Sequence, residues 1–139
     1  MYKICIVTLL ACLSYHTGLG QKKGSPSKDS LVLENGTILY VGDTLQLGKV
    51  SENDDKFQYI YRPAGGFIYL PKMRLDKEFE GGDAIIRSFR SVYVSRSKSK
   101  MVAVIYNKDF GSKDVDIHLA LESGEIAAVR KKATGQEGR

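Results

Sequence analysis

The sequence contains no tryptophan, three prolines, two histidines and two cysteines. Both cysteines, Cys5 and Cys12, sit in an apolar stretch at the N-terminus, so a chain that has lost this stretch has no disulfide and no thiolate metal site. His16 lies just beyond that stretch, which leaves His118 as the one histidine of the remainder. A zinc centre needs about three or four His, Cys or carboxylate ligands, and a Ser–His–Asp site needs a histidine base with placed partners. His118 supplies neither set and reads as a strand or sheet-edge residue, and Ser123 lacks the strained glycine frame of a nucleophile elbow. Glu52, Asp54 and Asp55 lack the ordered ligands and turn glycine of a calcium loop. Glu78, Glu80 and Asp83 offer carboxylates for glycoside hydrolysis, but a chain without tryptophan is poorly equipped to build the sugar cleft. The expectation is of no catalytic residue set, no metal site and no cofactor.

Long hydrophobic runs are also missing. The one apolar run, Ile4 to Leu13, is about ten residues, half of what a membrane-spanning helix needs. It follows Met1-Tyr2-Lys3 and precedes small residues ending in Gly18-Leu19-Gly20, the three-part layout of a secretory signal over 1–20. Cleavage after Gly20 yields a secreted or periplasmic protein with no transmembrane segment. A competing reading takes Leu9-Leu10-Ala11-Cys12 as a lipoprotein box with Cys12 lipidated. Residues 21–30 have no apolar side chain and read as a flexible tether, and 131–139 read as a disordered tail. Between them lies a single β-rich domain, 31–130.

Twenty-one basic residues against 16 acidic ones give a net charge of +5. That balance favours anionic partners weakly, and no stretch interleaves basic residues with stacking aromatics, so nucleic acid is not expected.

Short apolar runs separated by turn residues fill the central region. Leu31–Leu33, Thr37–Val41 and Thr44–Leu47 are parted by Asn35-Gly36 and Gly42-Asp43, dipeptides that tolerate positive φ. Gly48 marks a bend or bulge. Phe57–Tyr61 and Phe67–Leu70 read as strands around a Pro63–Gly66 turn, and 71–83 as a loop or a single helical turn. Residues 89–106 carry the densest β-branched and aromatic content and predict a hairpin with its tip near Arg96 to Lys100. Asp116-Ile117-His118 reads as a closing strand, Leu119 to Gly124 as one helical turn ended by glycine, and Ile126–Val129 as a last strand. The fold class is mainly β: a small SH3-like or OB-like barrel of about six to eight short strands.

Asn35-Gly36-Thr37, Val41 to Gly48, Phe57 to Ile60 and the ending Asp116 to Ile126 resemble small exported proteins of Bacteroides-type bacteria. The resemblance implies an SH3-like β-barrel in the cell envelope and no assigned activity. The chain departs from that pattern over Pro63 to Gly82, where an insertion is expected.

One patch suggests a function. Arg87, Arg90, Arg96, Lys98 and Lys100 fall within fourteen positions that hold no acidic residue, with Tyr93 among them. Together these six form a candidate ligand-binding surface for an anionic envelope polymer, a membrane surface or another envelope protein. The competing structural use is edge protection, since charged tips discourage strand-to-strand aggregation. The tyrosines Tyr40, Tyr59, Tyr61, Tyr69, Tyr93 and Tyr106 fall on predicted strands and would line a groove if they shared a face. The leading expectation is a non-enzymatic binding module; the alternative is a small extracytoplasmic hydrolase or enzyme inhibitor.

Overall fold

The structure, a computed structural model, describes residues 29–51, 55–62 and 73–133. The expected signal, the tether up to residue 28 and the Phe67–Leu70 strand lie outside the described residues. In chain order the elements are β1 (Ser30–Val32), β2 (Ile38–Tyr40), β3 (Thr44–Leu47), β4 (Lys56–Tyr61), β5 (Arg74–Asp76), a 3-10 turn (Lys77–Phe79), β6 (Asp83–Ser95), β7 (Lys98–Asn107), β8 (Gly111–Val115), α1 (Ile117–Glu122) and β9 (Ile126–Arg130). The mainly β class is borne out. Strands β1 and β2 form a separate ribbon, and the other seven form one antiparallel sheet in the order β5-β4-β8-β7-β6-β3-β9. The sheet curls into a half barrel whose free edges are β5 and β9.

The period-two pattern explains which face is inside. In β3, Leu45 and Leu47 are buried while Thr44 and Gln46 are only half-buried. In β6, Ala84 and Ile86 point inward and Asp83, Ile85 and Arg87 outward. The β6–β7 register then shifts between Ile86 and Ser88, a bulge that reverses the alternation and returns Phe89 to the core opposite Ala103. These residues join Leu39, Phe57, Ile60, Leu75, Ile105, Val115, Ile117 and Ile126 in a single apolar cluster.

Turn chemistry sets the connections. Asn35 Oδ1 accepts the Thr37 amide at 2.9 Å, and Gly36 takes φ 83°, as the Asn-Gly dipeptide predicts. Gly48 is required by crowding: a β-carbon there would lie 1.9 Å from the Gly124 carbonyl oxygen.

Three expectations are corrected. Asp116–His118 does not close the sheet. The Asp116 amide still reaches Tyr59 O at 3.0 Å, extending the sheet's bonding by one residue, but its own carbonyl accepts from Ala120 and starts α1. Ile117 and Ala120, three apart, are buried as one helical face, so His118 is an exposed helix residue and not a strand or sheet-edge one. The arm turns at Arg96–Ser97, so Lys98 to Lys100 belong to β7 and not to the tip loop. Lastly, the ordered part is wider than 31–130: Ser30 belongs to β1, and Lys131 and Lys132 are tied to the buried Asp43. Residues 73–82, half of the expected insertion, hold β5 and the 3-10 turn.

Glu125 fastens the curl. It is wholly buried at the start of β9, yet its carboxylate accepts Gln58 N at 2.6 Å, Tyr59 N at 2.8 Å, Ser51 Oγ at 2.5 Å and Ser51 N at 3.3 Å. Strand β4 pairs with β5 only at Lys56 and Tyr61, with an irregular stretch between them. One side chain therefore supplies the acceptors that the ladder omits, and it joins β9, at one edge of the sheet, to β4, next to the other.

Candidate functional site

All six residues of the candidate patch lie on the β6–β7 hairpin, but the structure divides them. The hairpin's root packs on the sheet, while its outer part, 91–99, is almost wholly exposed. Tyr93 is 85% and Val94 63% exposed, large values for an aromatic and a β-branched side chain in a strand. Arg96 and Lys98 accompany them at the tip, where neither has a carboxylate partner among the described residues. The β6–β7 register shifts again between Tyr93 and Ser95, so the tip carries a bulge that presents these two adjacent apolar side chains to solvent.

The other three cations stay at the root. Arg87, at the bulge, stacks its guanidinium 3.7 Å above the Tyr106 ring. Arg90 pairs with Asp114, and Lys100 pairs with Asp116. Asp114 is wholly buried and Asp116 nearly so. Tyr61, opposite Asp114 across the β4–β8 ladder, completes the cluster. Burial pushes its phenol pKa up; Lys100 and Arg90 pull it down, and Asp114 and Asp116 push it further up. Burial opposes the Lys100 charge, but Asp116 and Tyr61 outweigh it and hold the ammonium pKa above the usual lysine value. Arg90 Nε and Asp114 Oδ1 are buried without a hydrogen-bond partner among the described residues. Such pairs act mainly against separation, because removing one partner strands a buried charge. The cluster locks the arm's root to β8 and to the start of α1.

Asp114 and Asp116 were missed from the sequence. The available signal is the alternation Asp114-Val115-Asp116, which puts both carboxylates opposite the inward Val115, on the face that Arg90 and Lys100 share.

A concave surface lies at the other end of the hairpin. Between edge strand β5, the 3-10 turn and the β7–β8 turn, a groove of about 740 Å³ opens at the mouth of the half barrel. Leu75 forms its floor, and Phe79 and Phe110 meet edge to face, with ring centroids 5.1 Å apart. Arg62 and Lys113 stand at its side. Burial and then the neighbouring Arg62 lower the Lys113 pKa, with Asp76 opposing them.

The remaining chemical candidates are dispersed. His118 lies 3.7 Å from Glu34, and Ser123 donates to its own helix at Ala120 O. Glu80 accepts the Val50 amide at 2.8 Å, Asp83 pairs with Arg130, and Asp55 pairs with Lys77. Glu52 and Asp54 lie outside the described residues. No group of three or more His, Cys, Asp or Glu among the described residues could hold a metal ion, and no helix among them is long and apolar enough to cross a membrane. The tyrosines do not share one groove: Tyr40 faces Lys131, Tyr61 is in the charged cluster, Tyr106 lies under Arg87, and Tyr69 is outside the described residues. No protein-family model, curated protein or solved structure matches this chain.

Proposed function

We propose that this chain is an exported, non-enzymatic SH3-like β module that docks on the anionic lipid surface of the cell envelope through its β6–β7 arm. One observation carries the reading: two large apolar side chains, Tyr93 and Val94, project beside Arg96 and Lys98, cations with no carboxylate partner among the described residues. Tyrosine prefers the boundary between headgroups and acyl chains, and basic residues gain from anionic headgroups. The arm presents both within a few residues, on a root held by two ion pairs to buried carboxylates.

Each basic residue near an anionic bilayer is worth about 1 kcal/mol, so the tip pair contributes about 2 kcal/mol, a roughly 30-fold change in affinity. The test is co-sedimentation at low salt with vesicles containing phosphatidylglycerol or made of phosphatidylcholine alone. The intact protein is expected on the anionic vesicles only, with Arg96→Ala/Lys98→Ala losing about 30-fold. Lys49→Ala/Lys108→Ala, which removes the same charge from exposed sites elsewhere, is expected to keep binding. Equal retention on both vesicle types, or indifference to the tip substitutions, refutes the proposal. Capture by an acidic polysaccharide but not by vesicles refutes the lipid assignment.

A further inference from the structure

We infer that the mouth of the half barrel is a second site, which takes a small amphiphilic monocarboxylate with its apolar body against Phe79 and Phe110 and its head at Lys113 and Arg62. Strand alternation puts Lys113 on the inner face of β8. Its neighbour two along, Val115, and its cross-strand partner, Ile105, are both wholly buried there. An inward lysine is expensive unless its charge is matched. Here the ammonium donates to the Phe110 carbonyl at 2.6 Å and has no carboxylate partner among the described residues.

Arg62 likewise has no carboxylate partner among the described residues. Its Nη1 lies 3.7 Å from Met73 Sδ, a weak thioether acceptor. Arg62 and Lys113 thus share the mouth with Arg74 and discourage each other, which is why Arg62 adds to the lowering of the Lys113 pKa. Asp76 opposes this lowering without cancelling it. Asp76 is already held by Lys56 at 3.3 Å, and Glu78 is exposed on the rim.

The shape completes the specification. A groove of about 740 Å³ falls within the range of small-molecule sites, and barrel mouths are a recurrent place for them. Leu75 and the two phenylalanine rings supply an apolar bed, and the exposed Met73 can adapt to its occupant. The lining sets three cations, Arg62, Arg74 and Lys113, against two carboxylates, Asp76 and Glu78, a surplus of one positive charge that suits one carboxylate. A multiply charged anion is thereby disfavoured, as is a neutral lipid that leaves that surplus unmatched. The site is independent of the arm tip, since β7 runs between them from Lys98 to Asn107.

The test is an amide-resolved NMR titration of the folded domain with decanoate, decanol and decylamine. Decanoate is expected to shift the amides of Leu75, Phe79, Phe110 and Lys113 and to bind about tenfold or more tighter than decanol, with decylamine weakest. Lys113→Met should weaken decanoate about tenfold and leave decanol unchanged, while Lys113→Arg should retain binding. If Lys113→Met loses its dispersed spectrum, Arg62→Gln, at an exposed position, carries the same comparison. The inference is overturned if no shifts appear, if decanol equals decanoate, if the shifts map to the arm, or if the charge-removing variant binds as the parent does.

Discussion

Glutamine in place of Glu125 tests whether one buried carboxylate holds the half barrel in its curl. The two oxygens are loaded unequally: Oε1 accepts Ser51 N, Ser51 Oγ and Gln58 N, whereas Oε2 accepts Tyr59 N alone. An amide best keeps its oxygen on the three-donor side, which turns its NH2 toward the Tyr59 amide. One charge-assisted bond is then replaced by two opposed donors, and the other three weaken to neutral bonds. Buried donors left unmet cost about 1–3 kcal/mol each, so Glu125→Gln should lose about 2–4 kcal/mol. Glu125→Ala uncovers every donor and should lose about 4–6 kcal/mol, close to the whole stability of a domain this size. Urea denaturation measures both variants through the midpoint, with the slope checking that unfolding stays two-state. Amide exchange supplies a local readout, since Gln58 and Tyr59 should exchange faster in Glu125→Gln than their β4 neighbour Ile60, which pairs with β8. A Glu125→Gln protein within about 0.5 kcal/mol of the parent would show that the carboxylate is incidental to the curl.

Asp43 predicts an acid-sensitive component. Burial raises its pKa, but the Lys132 and Tyr40 amides and the Lys131 ammonium outweigh burial and hold it below the ordinary 3.8. A depressed carboxylate stabilises the fold above its unfolded pKa and loses that contribution as pH falls through the folded one. The stability gap between parent and Asp43→Asn should therefore be constant above about pH 5 and shrink below about pH 4; curves that stay parallel into acid refute this. Gly48→Ala should cost about 2–4 kcal/mol and lower Tm by about 10 °C or more, because its β-carbon would meet the Gly124 backbone oxygen at 1.9 Å. A thermal melt unchanged by this substitution would mean that the two segments separate freely.

Much of the sheet is legible locally. Strands β3, β4, β6 and β7 announce themselves by alternation or β-branched density, and Asn35-Gly36 and Gly42-Asp43 fix the turns between the first strands. What escaped is what short or distant signals encode. The helical turn expected at Leu119 to Gly124 is present as α1, but its start at Ile117 escaped, because six residues with only two buried anchors, Ile117 and Ala120, are too few to display a helical period. The bulge at Arg87 resets the facing of everything after it, and nothing in Ile86-Arg87-Ser88 announces that shift. The candidate patch looked continuous because no acidic residue lies among 87–100, yet Asp114 and Asp116 reach Arg90 and Lys100 from β8 and the start of α1. Nothing near Glu125 in the sequence announces its role, since its partners lie more than sixty positions away. The groove draws on β4, β5, the 3-10 turn and β8, so no contiguous segment could disclose it.

The division of cations along the hairpin decides how the two surfaces relate. Had Arg90 and Lys100 been free, the whole outer face of the arm would have formed one broad basic field, suited to any polyanion. Their pairing with buried carboxylates removes them from that field and makes them stiffeners. A stiff arm carrying two exposed apolar side chains and two cations with no carboxylate partner among the described residues is convex, and it can press into an extended surface without enclosing anything. A held root also means that little ordering remains to oppose docking. The mouth is the converse: concave and apolar, with Lys113 turned inward and Arg62 exposed at its side, it can surround a small amphiphile but cannot lie flat on a surface. The two sites therefore answer to different partners, and a ligand in the mouth acts on the arm only through β7, whose Ile105 lies beside Lys113 and whose Lys100 anchors the root.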